Sequence, residues 1–101
     1  MVIVKEITAK ELEQKLTAGE ALNIIDVRED EEVAMGKIPG AKHIPLGQIP
    51  ERLEELDKND HYYMVCRSGA RSGNATVFLT ERGYNVTNMV GGMLDWEGEV
   101  E

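Results

Sequence analysis

The sequence predicts an α/β fold in which one parallel sheet is flanked by helices on both faces. Two observations support this prediction: short apolar runs typical of strands recur along the chain, and segments with helical spacing and recognisable helix ends separate them. Strands that alternate with helices imply right-handed crossovers and a parallel sheet. The chain has 101 residues, so we expect a single domain over 1–101 with a five-stranded sheet.

The first elements are a strand over 2–6 and a helix that begins at a capping box. Thr8 and Glu11 stand three residues apart, the spacing at which each side chain can accept the other's backbone N–H. This helix is predicted to end at Gly19. The next run, over 21–27, is mostly apolar towards its end, as expected for a strand covered on both faces.

The middle of the chain carries shorter elements. An acidic helix over 29–35 stops at Gly36, and a brief strand follows over 42–44. A further helix is predicted to begin near Pro50, because proline is tolerated in the first turn and apolar residues recur there at helical spacing. The fourth strand is predicted over 61–65.

The last elements are a helix over 72–82 that ends at Gly83, a strand over 86–90, and a short turn of helix around Trp96. In open parallel sheets, ligands bind at the carboxyl ends of the strands. The fourth predicted strand ends directly before Cys66, so the sequence places the chain's only cysteine at a binding edge.

The composition excludes several classes of partner. The formal net charge of −8 argues against nucleic acid and anionic membrane surfaces, whose phosphates would repel the chain. No apolar run approaches the ~20 residues of a membrane helix, and the first residues lack the features of a signal peptide. A single cysteine cannot form an internal disulfide, which suits a reducing compartment. We therefore expect a cytoplasmic protein, and a monomer by default.

The segment that begins at Cys66 carries the strongest functional signal. A lone cysteine is most often a small buried hydrophobe, but here two arginines bracket it and Gly69 permits a turn that directs backbone N–H groups inward. These features favour a thiolate and should lower the pKa of the thiol. We interpret Cys66 as a catalytic nucleophile in an anion-binding loop. The expected substrate-binding residues are Arg67, Ser68, Gly69, Ala70, Arg71 and Ser72.

The loop that begins at Cys66 resembles the active-site loop of a known family. The pattern Cys66-x-x-Gly69-x-Arg71-Ser72, preceded by an apolar strand, is similar to the active-site loop of rhodanese domains, which transfer sulfur. Three further segments match the family in the same order, so the resemblance covers about 17–100. These segments are Ile25-Asp26-Val27-Arg28-Glu29, the Gly-x-Ile-Pro-Gly-Ala turn over 36–41 with Ile44-Pro45, and Gly91-Gly92 with Trp96.

The resemblance implies a two-step reaction. The Cys66 thiolate takes the outer sulfur of a small anionic donor such as thiosulfate, and the resulting persulfide passes that sulfur to an acceptor. The acceptor would be cyanide or a thiol, including thioredoxin or a sulfur-accepting protein. No metal or organic cofactor is expected, because His43 and His61 lack the spacing of metal ligands.

Four functions remain open from the sequence. A sulfur carrier that receives persulfide from a partner would use the same cysteine with little thiosulfate turnover. A cysteine-dependent phosphatase or arsenate reductase is less favoured, because four residues separate Cys66 from Arg71 and that chemistry uses a loop with five. A non-catalytic regulatory domain is disfavoured by the intact loop. A sulfurtransferase is the leading interpretation.

A supporting group of residues is predicted around the loop. Asp26 and Arg28 follow the second strand and either shape the pocket or form an ion pair, and we favour the ion pair because buried charges need partners. Trp96 is expected to cover the core beside the loop. Gly91 and Gly92 are expected to allow close approach of the backbone.

Overall fold

The computed structural model describes residues 2–101 and contains a five-stranded parallel sheet in the order β1-β5-β4-β2-β3. The predicted α/β class is therefore confirmed. The strands are β1 (Lys5–Thr8), β2 (Asn23–Asp26), β3 (Lys42–His43), β4 (His61–Val65) and β5 (Asn85–Val90). The α-helices are α1 (Ala9–Thr17), α2 (Asp30–Val33) and α3 (Ala70–Glu81), and 3-10 helices cover Leu46–Gln48, Pro50–Glu55 and Gly92–Asp95.

The capping box forms at the start of α1, as the sequence predicts. The Glu11 N–H donates to the Thr8 hydroxyl oxygen at 3.1 Å, and the Glu11 carboxylate accepts the Thr8 N–H at 3.0 Å. The preceding strand starts three residues later than predicted, at Lys5, because its ladder with β5 runs from Lys5 to Thr8. The strand therefore leads directly into the cap.

The segment after Pro50 differs from its prediction, because it forms a 3-10 helix and not an α-helix. Arg52 leaves helical geometry, at φ −118° and ψ 23°, and its guanidinium binds the Glu55 carboxylate at 2.6 and 3.0 Å. Ile49 and Leu56 at the two ends are buried in the same apolar cluster. Tertiary burial of both ends therefore overrides the helical spacing of the apolar residues.

Two apolar clusters cover the sheet, one on each face. The first contains Cys66 and Met64 and packs beneath Ala75 and Leu79 of α3. The second lies on the opposite face, under α1, and its central members are Leu12, Ile24, Tyr63, Val65 and Met89. Successive residues of β4 alternate between the clusters, as side chains of a strand must. Cys66 therefore lies at the carboxyl end of β4, on the α3 face of the sheet.

None of the helices described in residues 2–101 is long and apolar enough to cross a membrane.

Candidate active site

The loop between β4 and α3 turns sharply at Gly69. This residue has φ +99°, in the left-handed region, and directly precedes the first residue of α3. A Cβ at this position would lie 3.0 Å from the Gly91 backbone nitrogen, so glycine is required for both conformation and space. The turn brings the N-terminus of α3 back over Cys66, where helix geometry favours an anion.

The Cys66 sulfur is buried and held by polar groups of the loop. The Gly69 N–H donates to Sγ at 3.0 Å, and the Ser72 Oγ lies 3.3 Å from the same sulfur. Burial acts to raise the pKa of the thiol. The Ser72 hydroxyl, when its proton is turned towards sulfur, and the backbone N–H groups of Ser72, Gly69 and Ser68 lower that pKa by more. The net result is a thiol pKa below its ordinary value, which favours the nucleophilic thiolate.

The Arg71 guanidinium is bound by a carboxylate that the sequence interpretation did not anticipate. Glu32 of α2 accepts both Arg71 Nη1 and Nη2, at 2.7 and 2.8 Å. The Arg71 hydrogen bonds hold the pKa of Glu32 at about 2, and the same pairing raises the pKa of Arg71. Arg71 is thus paired across the mouth of the loop, whereas the sequence led us to expect it free for an anionic donor.

The remaining loop side chains point towards solvent. Arg67, Ser68 and Ala70 are exposed. The loop backbone is fixed from the other side, because the carbonyl oxygens of Cys66 and Arg67 accept the N–H groups of Met93 and Leu94 at 2.9 and 3.0 Å. The C-terminal 3-10 helix therefore anchors the backbone of the sulfur-bearing loop.

Gly91 and Gly92 allow this anchoring. Gly92 has φ +58°, and a Cβ on it would lie 2.4 Å from the Arg67 carbonyl oxygen and 2.6 Å from that of Cys66. Gly91 has φ +80° and faces the side chain of Asp95. The close approach of the two backbone segments thus depends on the glycine pair.

Asp26 and Arg28 form a buried ion pair beside the loop. The Arg28 Nη2 lies 2.8 Å from Asp26 Oδ2, and Arg28 also donates to the carbonyl oxygens of Gly36 and Glu32, at 2.8 and 3.4 Å. Both side chains of the pair are at most 8% exposed. The pair therefore ties the end of β2 to α2 and to the segment that follows it, and so holds Glu32 near Arg71.

Trp96 packs on the other face of the sheet. It contacts the cluster under α1, which does not contain Cys66, and its indole N–H donates to the Glu99 carbonyl oxygen at 3.0 Å. Trp96 also lines a groove with Leu16 and Pro39. Its contacts are therefore those of core packing.

Sequence reasoning missed two residues that the structure brings to the site. Glu32 was one of several carboxylates in an acidic run, with nothing to distinguish it from its neighbours. Asn88 lies in β5, is 5% exposed, and its Oδ1 is 2.6 Å from the Ser72 Oγ. An amide in the middle of a predicted strand was the available signal, because a buried amide needs hydrogen-bond partners.

The Glu32–Arg71 ion pair predicts a pH-dependent contribution to stability. Because the pKa of Glu32 falls from 4.5 to about 2 on folding, the stabilisation is complete above pH 4.5 and is lost as the pH falls towards 2. We expect Glu32→Gln to lower the free energy of unfolding at pH 7 by about 1 kcal/mol, since both side chains are partly solvated. Urea unfolding of the unmodified protein and of Glu32→Gln should show that the difference between their free energies of unfolding decreases as the pH falls from 4.5 towards 2. A difference that stays constant to pH 2 would contradict the assignment.

The geometry first defines a class of protein. A thiol at the carboxyl end of the central strand of a parallel sheet, held by backbone N–H groups and a helix N-terminus, is characteristic of an α/β protein with a cysteine-based anion-binding loop. The Rhodanese-like domain model matches residues 8–99. The chain therefore belongs to the rhodanese-like family.

Relatives with names and solved structures agree with this assignment. The chain is 52% identical to the Bacillus subtilis protein "Putative sulfurtransferase YtwF" over 97% of its own length and 95% of that protein. It is 44% identical to the B. subtilis "Putative sulfur carrier protein YrkF", over 97% of this chain and 54% of that protein. A crystal structure of a rhodanese-like domain protein from Staphylococcus aureus is 44% identical, with a TM-score of 0.92 and 97% of each chain covered.

Proposed function

We propose that this protein is a sulfurtransferase that carries sulfane sulfur as a persulfide on Cys66. The observation that supports this most directly is the 3.0 Å hydrogen bond from the Gly69 N–H to Sγ at the start of α3, together with the lowered pKa of the thiol. An inert core cysteine has no reason to be surrounded by donors that stabilise its anion. Membership of the rhodanese-like family and relatives named for sulfur transfer support the same reaction class.

The reaction takes place in two displacements. The Cys66 thiolate attacks the outer sulfur of thiosulfate or of another persulfide donor; the donor's S–S bond breaks, and sulfite or a thiolate leaves with the electron pair. An acceptor thiolate or cyanide then attacks the terminal sulfur of the Cys66 persulfide, and the Cys66 thiolate leaves. The Gly69 N–H stabilises negative charge on Sγ before the first displacement and after the second.

Intact mass is the direct test of this function. Incubation with thiosulfate or a low-molecular-weight persulfide should add one sulfur atom, about 32 Da, as covalent catalysis requires. Subsequent cyanide should remove it. The proposal fails if no donor of either class adds sulfur to a protein whose Cys66 is reduced.

The Glu32–Arg71 ion pair bears on the choice of donor. With Arg71 neutralised, the loop presents less positive charge to a dianion than the sequence indicates. We expect Glu32→Gln to release this charge and to increase kcat/KM for thiosulfate about fivefold at low salt. The effect should weaken as salt is added and should be smaller for a less charged persulfide donor.

Glu31→Gln is the matched control for this donor experiment. Glu31 lies on the same short helix as Glu32 and carries the same charge. Its side chain is exposed, and the carboxylate that binds Arg71 belongs to Glu32. If both variants increase thiosulfate turnover equally, the cause is the overall charge of the protein and the specific role of the ion pair is wrong.

A sulfur carrier is the second candidate function, favoured by the relative named as a sulfur carrier protein. It would load Cys66 by the same chemistry but turn over small donors slowly. This function would be favoured if Cys66 takes up one sulfur atom but does not turn over repeatedly until a partner protein is added to accept the sulfur. A phosphatase is less favoured, because the arginine that would bind phosphate is paired with Glu32.

We further propose that residues 1–101 act as one domain and as a monomer in the cytoplasm, with small sulfur donors and thiol acceptors as partners. The charge of −8 supports the exclusion of nucleic acid from these partners.

A further inference from the structure

A second polar contact sits behind the sulfur site, between Ser72 and Asn88. The Ser72 Oγ lies 2.6 Å from Asn88 Oδ1 and 3.3 Å from Cys66 Sγ. Ser72 is fully buried and Asn88 is 5% exposed, so water does not substitute for either contact. The hydroxyl has one proton and two neighbours that could accept it. Whether the Ser72 hydroxyl stabilises the Cys66 thiolate therefore depends on which of the two neighbours accepts its proton.

The amide orientation of Asn88 determines where the proton goes. The Asn88 Nδ2 donates to the Gly69 carbonyl oxygen at 3.1 Å, and this bond turns Oδ1 towards Ser72. The reversed amide would place two acceptor oxygens face to face at Gly69. Two oxygens 2.6 Å apart require a proton between them, and an amide oxygen has none to give. The Ser72 hydroxyl must therefore donate to Asn88.

We propose that Asn88 is a positioning residue that turns the Ser72 hydroxyl away from Cys66 and so makes Ser72 a partner of the thiol rather than of the thiolate. With its proton on Asn88, Ser72 presents a lone pair to Sγ, which an S–H can donate to and a thiolate cannot. To stabilise the thiolate, the hydroxyl must rotate and leave the buried Asn88 Oδ1 without a donor, which is costly. The backbone N–H groups remain the permanent stabilisers of the anion.

This inference deepens the proposed function and rests on it for its catalytic meaning. A thiolate is a stronger nucleophile when the pKa of its thiol is higher, and a better leaving group when that pKa is lower. Cys66 must do both in one cycle: it attacks the donor and later leaves from the persulfide. Asn88 therefore sets the balance between sulfur loading and sulfur release.

Other charged groups lie on the elements around the site and affect the same titration. They are Arg67 and Arg71 of the loop and α3, Glu29 and Glu32 at α2, the Asp26–Arg28 pair after β2, and Asp95 in the C-terminal 3-10 helix. A double-mutant cycle between Ser72 and Asn88 leaves all of them in place, so their contributions cancel.

The test is a pH titration of the Cys66 thiolate by its ultraviolet absorbance, with Cys66→Ser as the blank. Asn88→Leu, whose side chain has the same number and branching of heavy atoms as asparagine, removes both amide groups. We expect it to increase the thiolate-to-thiol ratio at a fixed pH about fivefold, because the freed hydroxyl can donate to the anion. In a Ser72→Ala background the same substitution should change the ratio less than twofold.

Several outcomes would overturn the proposal. An equal effect of Asn88→Leu in both backgrounds would mean that Asn88 acts through the Gly69 carbonyl and not through Ser72. If Asn88→Leu alone leaves the thiolate-to-thiol ratio of Cys66 unchanged or decreases it, Asn88 does not restrain the Ser72 hydroxyl as proposed. Ser72→Ala alone gives a test that does not require Asn88→Leu to fold: the proposal expects no fall in the ratio, and a fivefold fall would contradict it. None of these titrations requires sulfur transfer, so the mass measurement tests the proposed function separately.

Discussion

Cys66→Ser is expected to abolish sulfur loading while the protein stays folded. A serine hydroxyl remains protonated near neutral pH and does not form a stable persulfide analogue, so we expect loading to fall by about a thousandfold or more. The fold should persist, because serine is smaller than cysteine and its oxygen can accept the Gly69 N–H in place of sulfur. The measurement is intact mass after incubation with donor, with circular dichroism to check the fold.

The absence of other cysteines makes this result decisive. The chain contains one cysteine, so no second thiol can take up sulfur in the variant. A persistent gain of one sulfur atom in folded Cys66→Ser would show that sulfur binds elsewhere, and the proposed mechanism would be wrong.

Gly92→Ala is expected to produce the largest loss of stability among the substitutions considered. The added Cβ would lie 2.4 Å from the Arg67 carbonyl oxygen and 2.6 Å from that of Cys66, and both contacts are to backbone that cannot rotate away. The residue also has φ +58°, which strains a side chain. We expect a decrease of about 4 kcal/mol in the free energy of unfolding, measured by urea denaturation.

Gly19→Ala separates the two causes. Gly19 also has a positive φ, +84°, but an added Cβ would meet no atom within 4 Å. Its cost should be the conformational strain alone, about 1 kcal/mol. Equal losses in the two variants would show that the backbone contact at Gly92 relaxes without cost, which would contradict the anchoring role of the C-terminal 3-10 helix.

Local signals in the sequence were sufficient for most of the fold. The predicted bounds of β4 agree with the observed ones, because a short run that contains two tyrosines and a valine precedes a glycine-containing loop. The capping box at Thr8 fixed the start of α1 through contacts only three residues apart. The 3-10 helix after Pro50 was missed because both of its ends are fixed by burial in a distant core, which residue spacing does not report.

The loop itself could be predicted, but its partners could not. The position of Cys66 follows from strand, loop and glycine signals that are adjacent in the sequence. The Arg71 partner, Glu32, is 39 residues away, and Asn88 is 16 residues from Ser72. Which carboxylate and which amide reach the loop depends on the order of strands in the sheet. Only the assembled fold determines that order.

The complete burial of Cys66 gives the two halves of the proposed cycle different steric demands. Before loading, the donor must deliver its sulfur into a recess, which favours a slim or extended molecule. After loading, the transferable sulfur lies about 2 Å further out than Sγ, the length of an S–S bond. A bulky thiol, including one on a protein surface, can then reach the sulfur without entering the loop. For the proposed cycle we therefore expect stronger steric selection among sulfur donors than among sulfur acceptors.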